Sequence, residues 1–169
     1  TRVILSEAVD KLIAGDKRSL SRVLTWVENG TTDGRQAMRD LYSHTGRAHI
    51  IGITGPSGSG KSTLTGAIAR ALRKRGKTLG IVAVDPTSPF TQGAILGDRI
   101  RMQDLTSDPG VFIRSMATRG ALGGLAAATN EVVAVMDAFG NDIVLVETVG
   151  AGQDEVAVAE TAHTTIVVN

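Results

Sequence analysis

Residues 55–62 read GPSGSGKS, and this stretch decides how the rest of the chain is read. Three glycines and a single lysine share eight positions. The run matches G-x-x-x-x-G-K-[ST], a loop that binds phosphates through main-chain N–H groups. Such groups converge on an anion only where the backbone takes positive φ and lets the anion approach closely, and glycine permits both. The helix that follows contributes its positive end. In this pattern Lys61 reaches the β and γ phosphates and Ser62 offers a hydroxyl to Mg²⁺. The bland alternative is a glycine-rich turn between a strand and a helix.

The flanks match the motif. HIIGIT (49–54) is a short β-branched run bounded by glycine, as in a buried parallel strand. A helix over 61–75 follows, with Leu64, Ala67, Ile68, Ala71 and Leu72 expected on its inner face. Arg73, Lys74 and Arg75 suit its C-terminal dipole, and Gly76 stops it. TLGIVAVD (78–85), GVFIRSM (110–116), DIVLVETVG (142–150) and TTIVV (164–168) read as further strands. A helix over 123–139 turns Leu125, Ala128, Val132, Val135 and Met136 inward. Strands alternating with helices predict an α/β fold, a phosphate-loop domain whose mainly parallel sheet carries helices on both faces.

Residues 1–46 read as three helices. Leu5, Ala8, Val9, Leu12 and Ile13 mark the first. Asp16 or Ser19 caps a second carrying Leu20, Val23, Leu24 and Val27, and Thr32 or Asp33 opens a third through Ala37, Met38 and Leu41. This divides the chain into an N-terminal helical extension (1–46) and a nucleotide domain (47–169). No chemistry is evident in the extension, which reads as packing or partner surface. The chain stops at Asn169 directly after an apolar strand, whereas a doubly wound domain is expected to continue with a crossover helix and more strands.

Composition narrows the partners. Net charge is +1, which gives no electrostatic case for nucleic acid or an anionic membrane. There are no cysteines, so disulfides and thiolate metal sites are excluded. No apolar run has the length of a membrane span or a signal peptide, and a cytoplasmic protein is the default expectation.

A nucleotide hydrolase needs carboxylates for Mg²⁺. Asp85 and Glu147 end strands at the carboxyl edge, where open α/β sheets bind ligands, and burying an acid there is costly unless a cation compensates. Asp98 lies in TQGAILGDRIRM. The alternatives are a turn-former before Pro86 for Asp85, a capping or salt-bridged acid for Glu147, and a helix N-cap for Asp98. ETVGAGQ (147–153) resembles the D-x-x-G switch with Glu in place of Asp. Gly150 would then give its N–H to the γ-phosphate and Gln153 would position the attacking water, or else Gln153 is a polar loop residue. Residues 86–98 read as a first switch ordered by nucleotide. Thr118, Arg119 and the glycines of the RGALGG stretch (119–124) read as partner or switch contacts or, more plainly, a helix start.

Together GITGPSGSGKSTL, VAVDPTSPFTQGAILGDRIRM, FIRSMATRGALGGLA and DIVLVETVGAGQDEVAVAE resemble the MeaB/ArgK/MMAA family, GTPases of the SIMIBI type. The resemblance runs from about Leu24 to the end of the chain. It implies a GTP-hydrolysing chaperone that gates cofactor loading and protects an adenosylcobalamin-dependent methylmalonyl-CoA mutase, usually as a homodimer. It implies GTP or GDP with Mg²⁺. The phosphates would be cradled by Gly55, Pro56, Ser57, Gly58, Ser59, Gly60, Lys61, Ser62 and Thr63. Ser62, Asp85, Asp98 and Glu147 would serve the metal directly or through water. The family reads guanine with N-K-x-D on a later strand, and this sequence carries no such motif, so guanine selectivity rests on the resemblance alone. Two other readings compete. A metallochaperone GTPase would need a His- or Cys-rich loading segment, and the chain has three His and no Cys. A small-molecule ATP-dependent kinase would need an Arg-rich lid and an acceptor pocket, for which Arg99 and Arg101 are the candidates.

Overall fold

A computed structural model of the chain describes residues 2–85, 102–117, 124–148 and 153–169. Three helices come first: α1 (Arg2–Ile13), α2 (Lys17–Glu28) and α3 (Thr32–Leu41), then a single 3-10 turn, Tyr42–His44. Asp16 caps α2, its side chain accepting from the Ser19 N–H. Thr31, one residue earlier than expected, caps α3 by accepting from the Gly34 N–H. A cap residue keeps extended backbone and supplies the first free N–H groups with an oxygen, which both residues do here. Leu5, Ala8, Val9 and Leu12 of α1 are buried as their spacing predicts, but Ile13 is exposed, at the frayed end of the stripe.

The sheet is built from β1 (His49–Thr54), β2 (Leu79–Asp85), β3 (Val111–Ala117), β4 (Ile143–Thr148) and β5 (Thr164–Val167). Their order is β3-β2-β4-β1-β5, and every pairing is parallel. The intervening helices are α4 (Lys61–Lys74), α5 (Gln103–Thr106), α6 (Gly124–Ala138) and α7 (Gln153–Thr161). The sequence reading had no place for α5 or α7.

Alternate strand residues face opposite layers. Leu79, Ile81 and Leu145 pack with Ala69, Ile68 and Leu72 of α4. Val82, Val84, Val144 and Val146 pack with Val132 and Met136 of α6, Val158 of α7, and the apolar stripes of α1, α2 and α3. The helical extension thus shares one continuous core with the far face of the sheet. That explains why α6 buries more than its predicted stripe: Thr129, Val133, Asp137 and Ala138 are buried as well. An Arg114–Glu28 ion pair of 2.9 Å ties β3 to α2 on this side.

One inner face needs correction. In α4, Ala67 is exposed, as is Ala71, whereas Lys61, Thr65, Gly66 and Ala69 are buried. Ile68 and Leu72 do pack inward. Polar residues can occupy the sheet-facing stripe because each is satisfied locally. The Thr65 hydroxyl donates to the Lys61 carbonyl at 2.8 Å, and the Lys61 side chain turns into the preceding loop. The end of α4 follows expectation: Gly76 takes φ +75° and the Lys77 N–H reaches back to the Leu72 carbonyl, closing the helix.

Candidate functional site

The neighbouring strands β1 and β4 send their chains to opposite faces: β1 leads to α4 on one side, and β4 leads to α7 on the other. Their carboxyl ends therefore border a crevice, the place where open α/β sheets accept ligands. The GPSGSGKS loop leaves β1 at this point, and Glu147 stands beside it on β4, paired in register with Ile53.

All three glycines of the loop take positive φ: Gly55 at 144°, Gly58 at 79° and Gly60 at 93°. At Gly55 a side chain is excluded twice over, since a Cβ would lie 2.1 Å from the Val168 carbonyl oxygen. Gly60 is the N-cap of α4 and offers no side-chain oxygen, so the first turn of the helix has no side-chain cap. A helix start left in this form carries positive potential and free N–H donors.

Lys61 is buried, with 6% of its surface exposed. Its ammonium donates to the Gly55 carbonyl at 2.5 Å and to the Pro56 carbonyl at 2.8 Å. Lysines are seldom buried without a carboxylate partner. Here, among the described residues, two neutral carbonyls hold the charge. The Ser59 hydroxyl oxygen is buried with no partner among the described residues. The Ser62 hydroxyl donates to Glu147 Oε1 at 2.7 Å, and Glu147 is itself buried, 4% exposed. Gly55 also donates its N–H to Glu155 Oε1 of α7 at 3.3 Å.

This donor set fits a polyphosphate. A buried cation held by neutral groups, an uncapped helix start and an orphaned hydroxyl all face one glycine-lined loop. Ser62 and Glu147 together present hard oxygens of the kind Mg²⁺ takes alongside phosphate.

The structure brings together residues 55–63 and Glu147 as the sequence predicts. Asp85 closes β2 at the same carboxyl edge, where Ala83 pairs with Glu147, though its side chain lies outside the described residues. Gln153 is the first residue of α7, and its side chain too is outside them. Asp98, Gly150, residues 86–98, Thr118 and Arg119 all lie outside the described residues. No cluster of three or more His, Cys, Asp or Glu suited to a metal occurs among the described residues. Two buried or half-buried acids escaped the sequence reading, Glu155 at the site and Asp137 at the opposite edge of the sheet. Glu155 sits in the quoted stretch DIVLVETVGAGQDEVAVAE, but no spacing signals that α7 folds back to Gly55. Asp137, which no sequence signal singles out, is buried and accepts from three backbone N–H groups at the amino edge of the sheet.

Comparison with known proteins agrees with this geometry. A family model described as methylmalonyl Co-A mutase-associated GTPase MeaB matches residues 20–169. The chain is 53% identical over 165 residues to a putative GTPase of Pyrococcus abyssi, covering 98% of this chain and 51% of that protein. It is 37% identical over 159 residues to the GTPase ArgK of Escherichia coli, covering 92% of this chain and 48% of that one. A crystal structure titled LAO/AO transport system kinase superimposes with a TM-score of 0.80 at 27% identity, over 99% of this chain and 50% of that one. The chain spans about half the length of the curated relatives it matches. With the phosphate loop, its buried lysine and the Ser62–Glu147 pair in one crevice, this chain belongs to the MeaB family of methylmalonyl-CoA mutase-associated GTPases.

Proposed function

We propose that this chain carries the nucleotide site of a GTP-hydrolysing chaperone that gates cofactor loading into an adenosylcobalamin-dependent methylmalonyl-CoA mutase and protects that enzyme. The observation that carries the reading is Lys61, a buried ammonium resting on the Gly55 and Pro56 carbonyls of its own loop. A cation held by neutral groups gains most when a polyanion arrives.

In this reading Lys61 moves from those carbonyls to the β and γ phosphate oxygens and neutralises charge there. The N–H groups of residues 55–63 surround the phosphates. Ser62 and Glu147 would hold Mg²⁺, with Asp85 and Asp98 completing the set directly or through water. Bound Mg²⁺ supplies further charge neutralisation at the phosphate oxygens. Gly150 senses the γ-phosphate, and Gln153 orients the attacking water. Residues 86–98 respond as a first switch, and the helical extension 1–46 serves the nucleotide domain 47–169 as packing and partner surface. The working form is a cytoplasmic homodimer of the full-length protein. The family match supports guanine over adenine.

The test is nucleotide turnover by the full-length protein, with GTP and with ATP, each with and without the organism's methylmalonyl-CoA mutase. GTP turnover that rises with mutase is the expected result. Turnover indifferent to the mutase, or a preference for ATP with transfer to a small acceptor, overturns the chaperone reading in favour of a kinase or another partner.

A further inference from the structure

The peptide that joins β1 to the phosphate loop is bonded at both ends. Its carbonyl, that of Thr54, accepts from the Val168 N–H at 2.8 Å. Its N–H, that of Gly55, donates to the Glu155 carboxylate at 3.3 Å. The next carbonyl along the chain, that of Gly55, is one of the two on which the Lys61 ammonium rests. Between these two peptide units lies the Gly55 α-carbon, at φ 144°, wedged against the Val168 carbonyl. The two peptide planes that meet at Gly55 therefore set where the loop starts and where one of the lysine's two acceptors sits.

We propose that Glu155 is a positioning residue for the phosphate loop. From the first turns of α7 it holds the Gly55 N–H, so that the loop is preformed for nucleotide rather than ordered by it. The inference rests on the nucleotide reading above and deepens it. Preorganisation acts by removing the ordering cost from binding. Without Glu155 the Thr54–Gly55 peptide keeps, among the described residues, the Val168 bond alone and can rotate about the glycine, which has no side chain to restrain it. Glu155 brings a second, opposite effect: its negative charge lies beside a loop that accepts an anion, and like charges oppose binding. The hydrogen bond and the charge act in opposite directions, which makes them separable. The same tie links the loop to α7, the helix that follows the ETVG stretch. A shift of α7 therefore reaches Lys61 through the two peptide units that flank the Gly55 α-carbon.

The experiment uses the full-length protein and measures GTP and GDP dissociation constants, steady-state turnover and thermal midpoint for wild type, Glu155→Gln, Glu155→Ala and Glu155→Asp. Glutamine keeps an acceptor oxygen at the same reach and drops the charge. Aspartate keeps the charge and falls one methylene short. A hydrogen bond of 3.3 Å lies just beyond the usual N–H···O range, and its loss predicts a severalfold loss in affinity for both nucleotides, larger in Glu155→Asp, which keeps the opposing charge, than in Glu155→Ala. KM should rise by a similar factor with kcat little changed, and the thermal midpoint should hold. Glu155→Gln should bind at least as tightly as wild type. Wild-type affinity in Glu155→Asp overturns the proposal, even where the Ala variant does not fold. A Gln variant as weak as Ala also overturns it, since the charge rather than the hydrogen bond would then be the active element. Wild-type protein that binds neither nucleotide refutes the nucleotide reading itself, a result distinct from any failure at Glu155.

Discussion

Asp137 offers a perturbation that separates stability from function. It is 5% exposed at the end of α6. Its Oδ2 accepts from the Gly46 N–H at 2.7 Å, and its Oδ1 from the Ala48 and Arg47 N–H groups at 2.9 and 3.2 Å. These three donors lie on the turn between the helical extension and β1. One carboxylate thus satisfies backbone groups that would otherwise be partly buried without partners. In Asp137→Asn one oxygen remains. If it keeps Arg47 and Ala48, the amide nitrogen faces the Gly46 N–H, donor against donor; in the other orientation two bonds are lost. Charge-assisted bonds contribute about 1.5–3 kcal/mol each, so losing one and neutralising the rest costs roughly 2–4 kcal/mol. For a chain of this size that lowers the thermal midpoint by about 5–15 °C. Urea unfolding and calorimetry read the change directly. The clasp sits at the amino edge of the sheet, whereas the phosphate loop leaves the carboxyl edge. Nucleotide affinity of the folded variant should therefore match wild type. A midpoint shift below about 2 °C refutes the clasp. A drop in affinity without a drop in stability refutes the separation of the two edges.

Two further outcomes follow from the same geometry. Gly55→Ala should fold less stably and lose most nucleotide affinity, because its Cβ would meet the Val168 carbonyl oxygen at 2.1 Å; near-normal binding by titration calorimetry would contradict the fixed position of that residue. Acid stability should depend on depressed carboxylates. The Arg73 guanidinium, then the Gly110 N–H, hold Asp108 below its usual value of 3.8, Arg70 does the same for Asp104, and the Thr78 N–H does so for Asp142. A lowered folded pKa gives stability that is present above the unfolded value and is lost as pH falls through the folded one. The thermal midpoint should therefore be insensitive to these groups from neutrality down to about pH 4 and fall below it. Asp108→Asn should flatten that acid limb, and an unchanged limb would count against the pairing.

The strand order could not be read from the sequence, but the strands themselves could. HIIGIT was legible to the residue, because β-branched residues between glycines have few other uses. The loop was legible because its chemistry requires glycine at particular spacings, and Gly55, Gly58 and Gly60 do take positive φ. The inner face of α4 was misread because apolar periodicity assumes that polar residues face water. Lys61 and Thr65 break that assumption by finding carbonyl partners inside. The breadth of the buried face on α6 was illegible for another reason: α2 and α3 cover it, and no local pattern says which distant helices will. Glu147 was legible as an acid ending an apolar strand. Glu155 and Asp137 were not, since each acts on backbone far along the chain, at Gly55 and at residues 46–48.

The proposed nucleotide site depends on Lys61 as a phosphate ligand at rest on its own loop. The most direct test is GTP binding to the full-length protein by titration calorimetry, wild type against Lys61→Ala, with the fold of the variant verified by its thermal midpoint. Removing a desolvated charge partner of this kind should weaken GTP by about a hundredfold. Equal affinity in a folded Lys61→Ala variant would show that the buried ammonium serves the loop alone, and the nucleotide site would have to be sought elsewhere.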